Sequence, residues 1–394
     1  MKQRILSLMT ILVLYVCAEI ISMGGLFLLK RVRHMEYAPL STASVLTQDH
    51  RDHLQALFAG ETDYLVHSPL LGWGIKPDGR WHDMYQANVQ GIRATKEYES
   101  RPAPGRVRIA AFGDSFTHGD DVKNEDTWQV QMEKSDLSLE VINFGVGGYG
   151  LDQALLRYLH EGISYHPQVV FIGFMEENIN RLVNVFRPFY YPGIPLAKPR
   201  FILRNDELVL LANPLPELDG YQALLAHPEP FINRLGENDY HFKIRPKAGP
   251  LDWSPLVRVL KLSASLMYRS YLHYANKDIY QRGQYNPDSE IFRLCIRLFD
   301  EFYRQAEKNG ALPVMLLFPN RMDLERYRRD ATRIYDPLID HFNARGYRYI
   351  DLIAAFERDG QPYPLDDIFG DYHYTPLGHS HVARYILTMG KRWF

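Results

Sequence analysis

Apolar and polar positions follow two alternating rhythms over most of the chain beyond residue 106. Compact apolar runs at 107–112, 139–144, 169–174, 313–318 and 347–352 have the length of buried strands. Between them, at 127–134, 151–161, 290–308, 323–343 and 375–387, apolar residues recur every three or four positions, which predicts amphipathic helices. Strands alternating with helices predict a mostly parallel sheet covered on both faces, a three-layer α/β/α sandwich.

Residues 181–288 break this rhythm and are rich in Pro, Tyr, Asn and Arg. A connection this long carries structure of its own. Short strands around 200–211 and a helix around 256–274 are expected there, forming a lid or specificity region, or else an oligomer contact or membrane-facing cover. Upstream, 34–68 reads as a polar connector with a short helix at 50–57, and glycine-punctuated segments between 71 and 93 predict an edge hairpin.

At the N-terminus, residues 5–29 are almost entirely apolar, with Lys2 and Arg4 before them and Lys30, Arg31 and Arg33 after. That length spans a bilayer as a helix. The long apolar run, the absence of a small-residue cleavage site and the basic residues on its far side argue against a removed signal peptide. The expected organisation is therefore a membrane anchor at 1–33, a connector and edge segment at 34–105, and a catalytic domain at 106–394 interrupted by 181–288. Basic residues nearly balance on the two flanks, so the positive-inside rule decides little. A short N-terminus ahead of a large domain favours a signal anchor with an extracytoplasmic, periplasmic domain. Glu19 is out of place, because a carboxylate in lipid costs several kcal/mol unless protonated or paired. It marks a helix–helix contact or is merely tolerated. Cys17 lies in the span and Cys295 in an expected helix, so no intramolecular disulfide is predicted.

Composition removes some functions. With 45 basic against 47 acidic residues and a net charge of -2, nothing favours a nucleic-acid partner. No His-Glu-x-x-His, paired Cys-x-x-Cys or phosphate-binding loop occurs, so neither metal nor cofactor is expected. Aromatic content of 13%, with 26 Tyr, suits a carbohydrate site but equally suits cores and interfaces. The oligomeric state is open.

Chemistry concentrates where the apolar runs end. The first breaks into Gly113-Asp114-Ser115, which puts a hydroxyl at the carboxyl end of a strand, where open α/β sheets bind ligands. The second ends in Asn143-Phe144-Gly145-Val146-Gly147-Gly148, and the third delivers Asn178. Near the C-terminus, Asp371-Tyr372-His373 precedes Thr375-Pro376, a helix start. Each fragment has a bland reading as turn glycine, helix cap or loop histidine.

In order and spacing, the four together resemble the SGNH, or GDSL-type, hydrolase superfamily, and the resemblance covers roughly residues 85–394. It departs from the family in two places: Asn178 follows Glu176-Glu177 instead of sitting in Gly-x-Asn-Asp, and the last block is Asp-x-His instead of Asp-x-x-His. The resemblance implies a flavodoxin-like five-stranded sheet and a serine esterase. Ser115 would be the nucleophile, His373 the base and Asp371 the carboxylate that orients it. Residues two apart share a face in extended backbone, which would let Asp371 meet the ring. Asp366 and Asp367 are alternative acids. The oxyanion hole would comprise the backbone N–H groups of Ser115 and Gly148 and the Asn178 amide, with Asn180 as competitor. Asp114 is expected to brace the turn, His118 to line helix surface or pocket wall, and His379 to lie in the last helix.

The expected function is hydrolysis of an oxygen ester through an acyl-enzyme on Ser115, with O-acetylated carbohydrate or lipid-like esters as candidate substrates. An O-acyltransferase acting on an envelope polysaccharide and a catalytically silent envelope scaffold are the alternatives.

Overall fold

The computed structural model describes residues 2–275, 277–357 and 362–393, so Met1 and Phe394, which end the expected anchor and catalytic domain, lie outside the described residues. Five strands form one parallel sheet: β1 (Val107–Phe112), β2 (Leu139–Asn143), β3 (Val169–Met175), β4 (Leu312–Phe318) and β5 (Tyr349–Asp351). Their spatial order is β5-β4-β3-β1-β2, the flavodoxin-like arrangement. All seven residues of β3 are buried, as a central strand covered on both faces requires. Arg108 is the polar exception in β1. It is fully buried, ion-paired with Glu140, and donates to the carbonyls of Glu99 at 2.7 Å, Arg101 at 3.0 Å and Tyr165 at 2.7 Å. Without those acceptors the buried charge would cost several kcal/mol.

The helices that concern the site and its surroundings are α1 (Lys2–Arg33), α2 (Ser115–His118), α3 (Trp128–Ser135), α4 (Leu151–His160), α5 (Pro255–Tyr274), α6 (Glu290–Lys308), α7 (Arg321–Asp330), α8 (Asp336–Arg345) and α9 (Pro376–Gly390). On the two faces of the sheet α4 packs with α6 and α3 with α9. α6 buries Ile291, Leu294, Cys295, Leu298 and Phe302, one stripe at helical spacing, and the Ser289 hydroxyl caps it by accepting from the Phe292 N–H at 3.0 Å. The single helix expected over 323–343 is instead two, α7 and α8. Ala331 closes the first in the left-handed region at φ 52°, and Pro337, which a helix interior does not tolerate, sits in the first turn of the second.

Residues 181–288 hold a hairpin, Arg200–Arg204 with Glu207–Leu211, and the helices Leu218–Ala226, Pro228–Gly236 and Tyr240–Ile244 as well as α5. The buried pair Lys198 and Asp152 ties this region to α4. Upstream of the sheet lie a helix at Gln48–Ala59 and the hairpins Leu65–Ser68 with Gly72–Ile75 and Arg80–Trp81 with Tyr85–Gln86. Among the described residues α1 is the one helix long and apolar enough to cross a membrane. Its side chains are exposed from Lys2 to Cys17, and from Ala18 onward one face, including Ser22 and Gly25, is covered as α5 packs along it. Cys17 and Cys295 are free thiols.

Candidate active site

β1 ends at Phe112, and the chain turns at once through Gly113 and Asp114 into the single helical turn of α2. A Cβ at Gly113 would lie 2.2 Å from the Thr117 hydroxyl, so only glycine lets the turn close this tightly. Asp114 is the N-cap, its carboxylate accepting from the Phe116 N–H at 3.0 Å. Ser115 is thus the first helical residue, at the carboxyl end of the strand where the sheet order reverses, the usual ligand crevice of such sheets. It is 6% exposed, and among the described residues its hydroxyl makes no hydrogen bond.

His373 reaches the same rim from the loop before α9. Its ring lies 5.2 Å from that of Phe116, the neighbour of Ser115, and its Nδ1 is 2.8 Å from Asp121 Oδ2. The carboxylate on the imidazole is therefore Asp121, and the expectation for Asp371 is corrected. Residues 371 and 372 form the tip of a small hairpin, closed by the Phe369–Tyr374 bridge and by the Gly370 N–H donating to the His373 carbonyl at 2.9 Å. The backbone there is not extended, so the same-face relation of residues two apart does not apply, and Asp371 is exposed at the tip. The alternative acids do not reach the ring either: Asp366 pairs with Arg321 at 2.7 Å, and both Asp366 and Asp367 are exposed.

Burial alone would lower the His373 pKa, but the hydrogen bond to Asp121 and the charges of Asp120, Asp121 and Asp114 outweigh it and raise the value. The two other histidines nearby behave oppositely. Burial, with Arg93 second, takes His118 down to about 4, and burial takes His379 down to about 3. His379 lies in α9 as expected, its Nδ1 accepting from the Trp128 N–H at 3.3 Å.

His118 is buried rather than a surface or pocket-wall residue. Its Nε2 meets the Tyr64 hydroxyl at 2.7 Å and its Nδ1 meets Asp120 at 2.5 Å. Arg93 clamps the loop that follows, donating to the carbonyls of His118 at 2.8 Å, Gly119 at 2.5 Å and Val122 at 2.5 Å. That clamp holds Asp121 in the left-handed region, φ 68°, a conformation that costs an ordinary residue free energy and persists where its surroundings impose it. Asp121, which meets the His373 ring, and Arg93, which clamps its loop, were not singled out by reading the sequence. The signal available was a pair of acids directly after the glycine that ends the Ser115 turn.

Of the expected oxyanion donors, the Ser115 and Gly148 backbone N–H groups enter no hydrogen bond among the described residues. Gly148 is half-buried at φ 79°, and the glycine turn is fixed by the Trp73 indole donating to the Gly147 carbonyl at 3.0 Å. Asn178 is placed differently: it is fully buried, and its amide nitrogen donates to Asp114 Oδ2 at 2.7 Å. The reason is the buried Asp114 carboxylate, which also takes Arg181 at 3.3 Å. Burial pushes the Asp114 pKa up, and Arg181, Asn178 and the Phe116 N–H pull against it. The competitor Asn180 donates to the Tyr280 hydroxyl at 2.6 Å.

No protein-family model and no curated protein matches the chain. Solved structures do. A putative lipolytic protein of the G-D-S-L family from Desulfitobacterium hafniense is 11% identical over 71% of this chain and 97% of its own, with a TM-score of 0.34. A lipase/acylhydrolase from Enterococcus faecalis is 12% identical over 73% and 96%, with a TM-score of 0.35. A two-domain esterase active on acetylated mannans is 12% identical over 73% of this chain and 49% of its own, with a TM-score of 0.33. Among the described residues no cluster of His, Cys, Asp and Glu suits a metal ion.

Proposed function

We propose that the chain is a membrane-anchored serine esterase that hydrolyses an oxygen ester through an acyl-enzyme on Ser115. The observation that carries this reading is the 2.8 Å bond from His373 Nδ1 to Asp121. It fixes the tautomer and leaves Nε2 as the nitrogen to take a proton, on a ring beside the turn that bears an unengaged serine hydroxyl. Ser115 Oγ attacks the ester carbonyl as His373 Nε2 accepts its proton. The tetrahedral oxyanion receives the Ser115 and Gly148 N–H groups, and the imidazolium returns the proton to the leaving alcohol. Water then attacks the acyl-enzyme with His373 again as base, freeing the acid and restoring Ser115. Asp121 is the orienting acid in this reading, in place of Asp371. O-acetylated carbohydrate and lipid-like esters are the candidate substrates, and the 181–288 region is the candidate lid. An extracytoplasmic catalytic domain follows from the signal-anchor reading of the N-terminus.

The test is labelling of the purified protein by a fluorophosphonate and turnover of p-nitrophenyl acetate, each compared with Ser115→Ala. Both are expected in the parent and lost in the variant. Absence of both in the parent would favour a silent scaffold, and acyl transfer to an added oligosaccharide that outpaces hydrolysis would point to a transferase.

A further inference from the structure

The carboxylate that is out of place in the anchor has partners. Glu19 accepts from the Ser254 hydroxyl and from the Leu256 N–H at 3.0 Å. It therefore caps the start of α5, where free N–H groups and the helix dipole favour an anion. The covered face of α1 runs through Ala18, Glu19, Ser22, Gly25, Leu26 and Leu29, and the small residues at 18, 22 and 25 let α5 pack close.

This contact fixes a depth. With Ile5 at the far edge of the hydrocarbon, set by Lys2 and Arg4, Glu19 lies about 21 Å along the helix at about 1.5 Å per residue. The hydrocarbon is about 30 Å thick, which leaves Glu19 roughly 9 Å inside the near face. The start of α5 is bonded to Glu19 and must sit at the same level. The side chains there suit lipid: Leu251 is 57% exposed, Trp253 66% and Leu260 60%, with no described protein contact to justify leaving them bare. The nearby cationic side chains are held by protein acceptors, although Arg258 has no carboxylate of its own. Lys261 pairs with Asp252 at 2.5 Å and donates to the Lys247 carbonyl at 2.9 Å, and Arg258 donates to the Asp252 carbonyl. Farther along α5, Tyr268 and Tyr271 are exposed and their rings stack, an arrangement that suits the headgroup level, where tyrosine is enriched.

We propose that residues 251–260 form a second lipid-inserted element, stapled to the anchor by Glu19, so that the domain meets the bilayer through two points and not through a flexible tether. The inference rests on reading α1 as a membrane span, and its occupant is the lipid bilayer, continuous with that span.

The full-length chain carrying Cys17→Ser would be given one environment-sensitive fluorophore at a time, through Leu8→Cys, Trp253→Cys, Leu260→Cys or Leu137→Cys. Each variant would then be reconstituted into phosphatidylcholine/phosphatidylglycerol vesicles with or without brominated lipid. Labels at 8, 253 and 260 are expected to lose most of their emission to the brominated chains, while 137, on the exposed Leu137 of the catalytic domain, keeps it. Quenching at 8 without quenching at 253 and 260 overturns this inference and leaves the anchor standing. No quenching at 8 removes the anchor reading and this one with it. A blue-shifted but unquenched label at 253 means that protein, a second copy or a partner, covers the surface, and overturns the inference.

Discussion

The loop that follows Ser115 supports two imidazole–carboxylate pairs, His118 with Asp120 at 2.5 Å and His373 with Asp121 at 2.8 Å, and their surroundings differ. His118 is sealed beneath Tyr64 with the Arg93 guanidinium 3.1 Å from its ring nitrogen, so a proton there meets both desolvation and a like charge. His373 stands at the rim with three carboxylates around it and, among the described residues, no guanidinium bonded to it, and its affinity for a proton rises. A histidine beside an aspartate is thus not by itself a catalytic pair. Burial and the sign of the next charge decide whether it braces the fold or moves a proton.

Exchanging the two histidines for alanine separates those roles most widely. His373→Ala is expected to lower ester turnover on the order of 10^6-fold while leaving the melting temperature close to the parent's. His118→Ala strands Tyr64, Asp120 and Arg93 in the interior and is expected to cost about 2–4 kcal/mol of stability, with turnover per folded molecule nearly unchanged. Denaturant melts and active-site titration by the fluorophosphonate measure both, and the reverse pattern would exchange the assignments.

The next largest effect concerns the acid. Asp121→Asn is expected to lower turnover on the order of 10^4-fold, whereas Asp371→Asn leaves it within about twofold. The pH profile gives the sign. Only neutral imidazole accepts the serine proton, so with the His373 pKa raised, activity climbs with pH through a value above that of an ordinary histidine. The stability this imidazolium contributes is present below the unfolded-state pKa and is lost as pH rises through the folded one. Asp121→Asn removes the charge that raises the pKa, and the acid limb moves down. For His118 the sign reverses. Its pKa falls to about 4, so its neutral form stabilises the fold above the unfolded pKa, and that contribution is lost as pH falls toward 4. An acid-unfolding transition in that window, absent in His118→Phe, tests it.

Asn178→Ala should change turnover less than the His373 and Asp121 substitutions do. Its amide serves the buried Asp114 carboxylate, so its loss is expected to cost about 1–3 kcal/mol of stability and less than about tenfold in rate. An oxyanion donor would cost about 10^2 to 10^3-fold, and a loss of that size would return Asn178 to the role its sequence position suggested.

Much of the fold was legible because a buried strand leaves a local mark. The five apolar runs fall within two residues of β1 to β5, the helix at 290–308 is α6, and the short strands and helix expected near 200–211 and 256–274 are present. The join between α7 and α8 was misread, since an apolar period carried across Pro337 outweighed the break that proline marks. The turn bearing Ser115 was legible from Gly113-Asp114, and the His373 loop from its place before Thr375-Pro376. The partner of that histidine was not, because Asp121 is 252 positions away along the chain.

The sequence by itself determined which segments become strands and helices and which hydroxyl and imidazole stand at strand ends and loop mouths. Those choices follow from apolar period, glycine and caps, whose reach is a few residues. Only the tertiary structure decided that Asp121 and not Asp371 meets His373, that Asn178 turns to Asp114, and that Glu19 caps a helix more than 200 positions later. A buried or charged group takes whichever partner the packed chain brings within about 3 Å, and that distance is set by how the layers close.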